Sequence, residues 1–218
     1  VKIVIPKSVT FIGRSAFNKC INLTEVIFEK ESQLTKICES AFYECQKLNV
    51  ISIPASVTEI EKNVFRECPL GQFSFDPNSK LSVIEEGLFN SCVGLKEIVI
   101  PASVTSIKYY AFNNCEILEI VNFEENSKLV EIDRFAFIGC HNLSSIKLPG
   151  SLKSIGQSAF KSCSSLREFV IPKSVESVGQ DVFVDCSNMK QITVPSSLKK
   201  TLSSSYLGVS KRVKIKKA

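Results

Sequence analysis

Hydrophobic and polar positions follow one pattern again and again along this chain. Residues 95–117, LKEIVIPASVTSIKYYAFNNCEI, show the unit. Ile98 and Ile100 alternate with Glu97 and Val99. Pro101 follows, then a second short apolar piece in SVTSI, then Ala111, Phe112 and Cys115. Alternation with period two predicts a strand with one buried face. The inward pairs are Ile3/Ile5, Val26/Phe28, Ile51/Ile53, Phe73/Phe75, Ile98/Ile100, Val121/Phe123, Ile146/Leu148, Phe169/Ile171 and Ile192/Val194. A proline, or a polar stretch such as DPNS or EENS, ends each strand. The AFNNC piece predicts one helical or 3-10 turn with Ala and Phe turned inward.

The phenylalanines of the last piece stand at 17, 42, 65, 89, 112, 137, 160 and 183, each followed three residues later by Cys. Their spacing of 23 to 25 residues is the mark of a solenoid. FEKESQLTKI, FDPNSKLSVI and FEENSKLVEI are two residues longer than the IPASVTEI form, and CPLGQF has lost one residue. These changes account for the uneven intervals. A single unit buries too few apolar side chains to offset the entropy of ordering its backbone, so stacking must supply the remainder.

The IPxSVxxI…AFxxC…L pattern resembles the BspA-like class of leucine-rich repeats over essentially residues 1 to 200. The resemblance implies a curved solenoid with a parallel sheet on its concave side, and a role in binding other molecules, often at a cell surface. The expected fold is thus an α/β repeat solenoid, a right-handed coil with short helical or 3-10 turns opposite the sheet. It should span residues 1–195, with a capping segment at 196–218. In that segment the Phe–Cys copy disappears, Tyr206 is expected at the missing Phe position, and RVKIKK offers a last strand carrying Val213 and Ile215. Lysines on such an edge discourage further pairing. The chain opens on Val1 with no signal-peptide pattern and no cap, so a cut into a longer array is expected.

Composition adjusts this picture modestly. With 218 residues and 44% hydrophobic content, the chain can bury a core. No apolar run approaches the ~20 residues of a membrane helix. The net charge of +5 is uneven: from Cys186 onward there are eight basic and no acidic residues, while the preceding part carries a net −3. A nucleic-acid-binding domain with a basic face throughout is not indicated. The tail SKRVKIKK could touch phosphates or anionic lipid, but its alternation favours a strand.

Eight cysteines, Cys20, Cys45, Cys68, Cys92, Cys115, Cys140, Cys163 and Cys186, invite a metal or disulfide reading. Metal sites need clustered thiolates, usually in C-x₂-C pairs, and these come one per repeat. A column of buried structural thiols is expected, with no cofactor. Cys38 falls in a slot otherwise held by Gly or charged residues and is a candidate exposed thiol. His141, the one histidine, sits in a variable slot, so catalysis by a Ser–His or Cys–His pair would rest on it alone. Asn22 and Asn142 begin N-x-S/T sequons, which matter only in a eukaryotic secretory pathway.

Binding is expected at the variable strand positions facing outward on the concave side: Glu25, Ile27, Ser52, Ser74, Glu97, Val99, Ile120, Asn122, Lys147, Glu168 and Val170. An apolar patch with a charged rim is a common interaction surface. The reading is a non-enzymatic binding module for a protein or other extended macromolecule, with a monomeric solenoid expected within a longer surface or secreted protein. Its rival is an intracellular scaffold repeat acting as a spacer.

Overall fold

A computed structural model describes residues 1–198 and 200–217. The chain winds as a parallel β-solenoid of about nine turns. Its long strands are Lys2–Ile5, Glu25–Phe28, Val50–Ile53, Gln72–Phe75, Glu97–Ile100, Ile120–Phe123, Ser145–Ile146, Glu168–Val170, Gln191–Val194 and Lys214–Lys217. Neighbours pair in parallel and in repeat register: Val26 stands against Ile3, Val121 against Ile98, and Ile192 against Phe169. Two-residue strands, including Lys36–Ile37, Glu59–Ile60 and Ser106–Ile107, build a second parallel ladder, with Ile107 beside Ile84 and Ile132.

The Phe–Cys segments are neither helical nor 3-10, and the fold is not α/β. Among the described residues the one helix is Ser204–Leu207. Two positions in each unit prevent a helix. Ser15 and Lys19 have φ of 54° and 57°, Ser40 and Glu44 have 57° and 56°, and the pattern recurs to Asp181 and Asp185 at 59° and 61°. Left-handed residues placed this way break any helical run. The backbone alternates instead. Ala16, Asn18 and Cys20 donate their N–H groups to carbonyls three residues back, while Ser15, Phe17 and Lys19 donate to Glu39, Ala41 and Tyr43 of the next turn. A ribbon of turns is thereby hydrogen-bonded along the solenoid axis, and the buried backbone is satisfied without helix or strand.

The core lies between the ribbon and the two ladders. Successive Phe rings stack nearly parallel, with Phe112 5.2 Å from Phe89 and 4.9 Å from Phe137 between centroids. This spacing lies near the 4.7–4.9 Å between neighbouring strands. The column opens to 6.0 Å between Phe65 and Phe89 and to 6.1 Å between Phe160 and Phe183. At those points the strand residues Phe73 and Phe169 enter edge-on, 4.8 Å from Phe89 and 4.7 Å from Phe183. Edge-to-face geometry suits the ring quadrupoles.

The shortened third unit leaves its own mark. Both ladders break there, after Gln72–Phe75 and after Glu59–Ile60. Leu70 takes a positive φ of 28°, and the Pro69 carbonyl oxygen occupies the place where a Cβ on Gly94 would stand. Because the obstacle is backbone, it cannot swing away. Gly94→Ala is expected to lower stability by about 3 kcal/mol, seen as a lower urea midpoint; an unchanged midpoint would show that this close approach is not tight.

Beyond Val194 the ribbon changes partners. Asp181 and Phe183 donate to the carbonyls of Tyr206 and Leu207 in the short helix. Ser203 caps that helix by accepting from Tyr206 N–H, and Gly208 ends it with φ of 74°. Tyr206 does not fill the missing Phe position. It is 37% exposed and its hydroxyl donates to the Val178 carbonyl, whereas Leu207 is the fully buried residue. Lys214–Lys217 then pairs in parallel with Gln191–Val194, with Ile215 opposite Ile192.

Candidate functional site

The outward positions of the long ladder form one continuous face at each stretch of pairing. Val4 stands beside Ile27, Ser52 beside Ser74, Val99 beside Asn122, and Ile120 between Glu97 and Ser145. Ser52, Ser74, Glu97, Asn122, Lys147 and Glu168 are exposed, and Glu25 is half-buried. Glu25 is held by the Lys2 ammonium at 2.6 Å, and the Ser74 hydroxyl donates to that of Ser52 at 2.9 Å. The apolar members are open to solvent: Ile27 by 38%, Val99 by 51%, Ile120 by 42% and Val170 by 57%. Sequence reasoning overlooked Val4, which is 53% exposed and extends the row by one turn. Where the ladder breaks, a hollow of about 340 Å³ opens, lined by Phe73, Phe75, Ser74, Glu97, Val99 and Glu124.

The structure gives the repeated cysteine a specific task. Cys115 donates its thiol proton to the Phe89 carbonyl at 3.0 Å, and Cys68, Cys92, Cys140, Cys163 and Cys186 do the same to Phe42, Phe65, Phe112, Phe137 and Phe160. Cys45 likewise donates to Phe17. Each such carbonyl also accepts the N–H of the Cys three residues on, so both lone pairs are used. Burial pushes Cys115 and Cys186 up to about 12 and raises Cys92, Cys140 and Cys163 well above the usual thiol range. Cys20 and Cys38 are partly exposed. All nine thiols are free.

The other candidates lie apart. One ring nitrogen of exposed His141 is 2.9 Å from the Ser162 carbonyl oxygen. Asn22 and Asn142 are exposed, and the Asn22 side chain accepts from Lys47. Among the described residues, no group of three or more His, Cys, Asp or Glu is placed to hold a metal ion, and no helix is long and apolar enough to cross a membrane.

Stacked parallel strands, one repeat per turn and a single continuous core of repeating Leu, Ile, Val and Phe positions define a leucine-rich-repeat solenoid. The chain belongs to the BspA-type leucine-rich repeat family, whose model matches residues 1–119 and 82–211. No curated protein sequence matches it. Among solved structures, the pneumococcal vaccine antigen PcpA is 27% identical with a TM-score of 0.65; the match covers all of this chain and 57% of that one. The leucine-rich repeat protein of T. pallidum is 26% identical with a TM-score of 0.61, over 98% of this chain and 86% of that one. The chain thus spans a little over half the length of the pneumococcal antigen.

Proposed function

We propose that this chain is a non-enzymatic binding module that holds an extended partner, a protein, on the outward and concave face of its long-strand ladder. The observation that carries this reading is that Ile27, Val99, Ile120 and Val170 are open to solvent on one face of the ladder, interspersed with Glu25, Glu97, Glu168 and polar Ser52, Ser74 and Asn122. Strand positions facing water are ordinarily polar, and apolar area rimmed by charge is what a partner desolvates. Each turn offers only two or three such side chains, so a useful contact must run across several turns. The family is a repeat family, and the one histidine does no more than meet a backbone carbonyl.

A place at the cell surface or outside it suits this reading, since a relative at 27% identity is described as a vaccine antigen. A spacer within an intracellular assembly is the second reading. It is favoured by nine free thiols, which suit a reducing compartment. The thiols of the column are shielded in either compartment.

Changing Ile27, Val99, Ile120 and Val170 together to Glu tests the face. Exposed substitutions typically move stability by ~0.5 kcal/mol or less each, so the variant is expected to stay folded. It is expected to lose a partner that the unchanged domain captures from native or host extract. Equal retention would move the site off this face.

A further inference from the structure

The turn ribbon departs from its own rule at one place. The left-handed slot ahead of each inward Ala or its equivalent holds Ser15, Ser40, Asn63, Gly87, Ser158 and Asp181, residues that tolerate positive φ. In two adjacent turns it holds Tyr110 and Phe135, at φ of 55° and 58°. Bulky aromatic residues are costly there. Among the described residues, Tyr110 is also the one occupant of this slot whose N–H makes no bond to the next turn. Strain of this kind persists where surrounding structure or function maintains it.

These rings are half-exposed and gathered. Tyr109 lies 4.0 Å from Tyr110, and Phe135 lies 5.4 Å from Tyr110 and 5.9 Å from Tyr109. They make a ridge between two slots without bulk, Gly87 and Ser158. Beside Tyr110 the Gly87 N–H donates to the Tyr109 carbonyl at 3.0 Å, so the preceding turn is in direct contact. That turn brings Glu85 and Glu86, neither of which forms an ion pair among the described residues. The Oδ1 of Asn63 lies over Gly87, where a Cβ would otherwise be. The ridge itself already accepts a guanidinium: Arg134 Cζ stands 4.9 Å from the Tyr109 ring centre.

We propose that the Tyr109–Tyr110–Phe135 ridge, with Glu85 and Glu86 beside it, is a second binding site, taking an arginine side chain of a partner polypeptide. A guanidinium is flat enough to stack on the half-exposed ring of Tyr110, and its fork of N–H groups matches carboxylate and amide oxygens. Arg134 already covers Tyr109, and Glu85 and Glu86, which hold no ion pair among the described residues, supply the negative charge that meets an incoming guanidinium. This site is separate from the long-strand face and does not depend on it.

The test uses a fluorescein-labelled Gly/Ser peptide carrying two arginines, beside the same peptide with glutamines in their place, in anisotropy titrations at ~0.15 M salt. The arginine peptide is expected to bind, and the glutamine peptide to bind about tenfold more weakly or not at all. Tyr110→Ser with Phe135→Ser is expected to weaken the arginine peptide by about tenfold. Ser fills this slot natively at three turns, so the variant should fold. Glu85→Gln with Glu86→Gln removes the charge without touching the ribbon and should weaken binding similarly, which keeps the test alive if the Ser variant unfolds. No binding of the arginine peptide, equal binding of the glutamine peptide, or full binding by either folded variant would overturn the proposal.

Discussion

Phe112→Ala is expected to remove roughly 3–5 kcal/mol of stability, the range for a large buried aromatic truncated without collapse around it. Phe112 is fully buried and stacked on both sides, by Phe89 and Phe137. At its turn the ring shares the core with Ile98, Ile100, Val104 and Ile107, all buried, so truncation leaves a void inside a packed layer. Urea unfolding would read the loss directly. Phe17→Ala is the matched control: its ring is partly exposed and stacks on one ring rather than two, Phe42 at 5.1 Å. It should cost less than half as much. Equal losses would mean that the column is not what holds successive turns together. Because each turn touches only its neighbours, amide exchange in Phe112→Ala should accelerate mainly in the turns of Phe89 and Phe137.

The second large effect is alkaline unfolding. Cys68, Cys92, Cys115, Cys140, Cys163 and Cys186 are held protonated by burial, with Cys115 and Cys186 at about 12. In the unfolded chain the same thiols titrate near 8.5. Below that pH both states keep their protons and the full stability is present. Above it the unfolded chain releases protons that the folded chain retains, and stability falls until the folded thiols titrate. Each thiol contributes about 1.4 kcal/mol per pH unit to the fall. Six together approach 8 kcal/mol per unit, against a typical whole stability of ~5–15 kcal/mol. Loss of the far-ultraviolet dichroism is therefore expected within about two pH units above ~8.5. Replacing Cys115 and Cys140 by Val should make the pH slope shallower by about a third; an unchanged slope would show that other groups drive the transition. At mildly alkaline pH, a thiol reagent should reach Cys20 and Cys38 well before the column.

Much of this was readable from the chain itself. A period set by eight phenylalanines, with strand pairs such as Ile98/Ile100 in step, requires stacked strands, because side chains one repeat apart must share an environment. The Phe and Cys positions were legible for the same reason. The conformation of the AFxxC segment was not. Ala and Phe turned inward fit a helical turn as well as the ribbon, since both place those two side chains on one side. The discriminating signal lay one residue earlier, in Ser15, Ser40, Asn63, Gly87, Ser158 and Asp181, a set enriched in residues that accept left-handed backbone. Tyr110 and Phe135 obscured it. Tyr206 misled for a different reason: ring size suggested a Phe substitute, but the helix at Ser204–Leu207 turns Leu207 inward. On the binding face, the exposure of Ile27, Val99, Ile120 and Val170 follows from period two alone, whereas the hollow at Phe73 depends on a ladder break whose place is marked by the one-residue deletion in CPLGQF but whose shape is not.

The ribbon's backbone hydrogen bonds between turns run one way, with the N–H supplied by one turn and the carbonyl by the next: Phe17 to Ala41, Phe65 to Leu88, Phe160 to Val182. Adding or removing a whole turn leaves every donor facing an acceptor. A partial insertion inside the ribbon would misalign everything at that junction. Length changes in this chain obey that constraint. The two-residue expansions at EKESQ, DPNSK and EENSK follow the long strand, and the single deletion at Leu70 falls between ribbon and strand. A gene encoding such a protein can therefore grow or shrink by duplication and loss of whole units, and each copy arrives already able to bond to its neighbours.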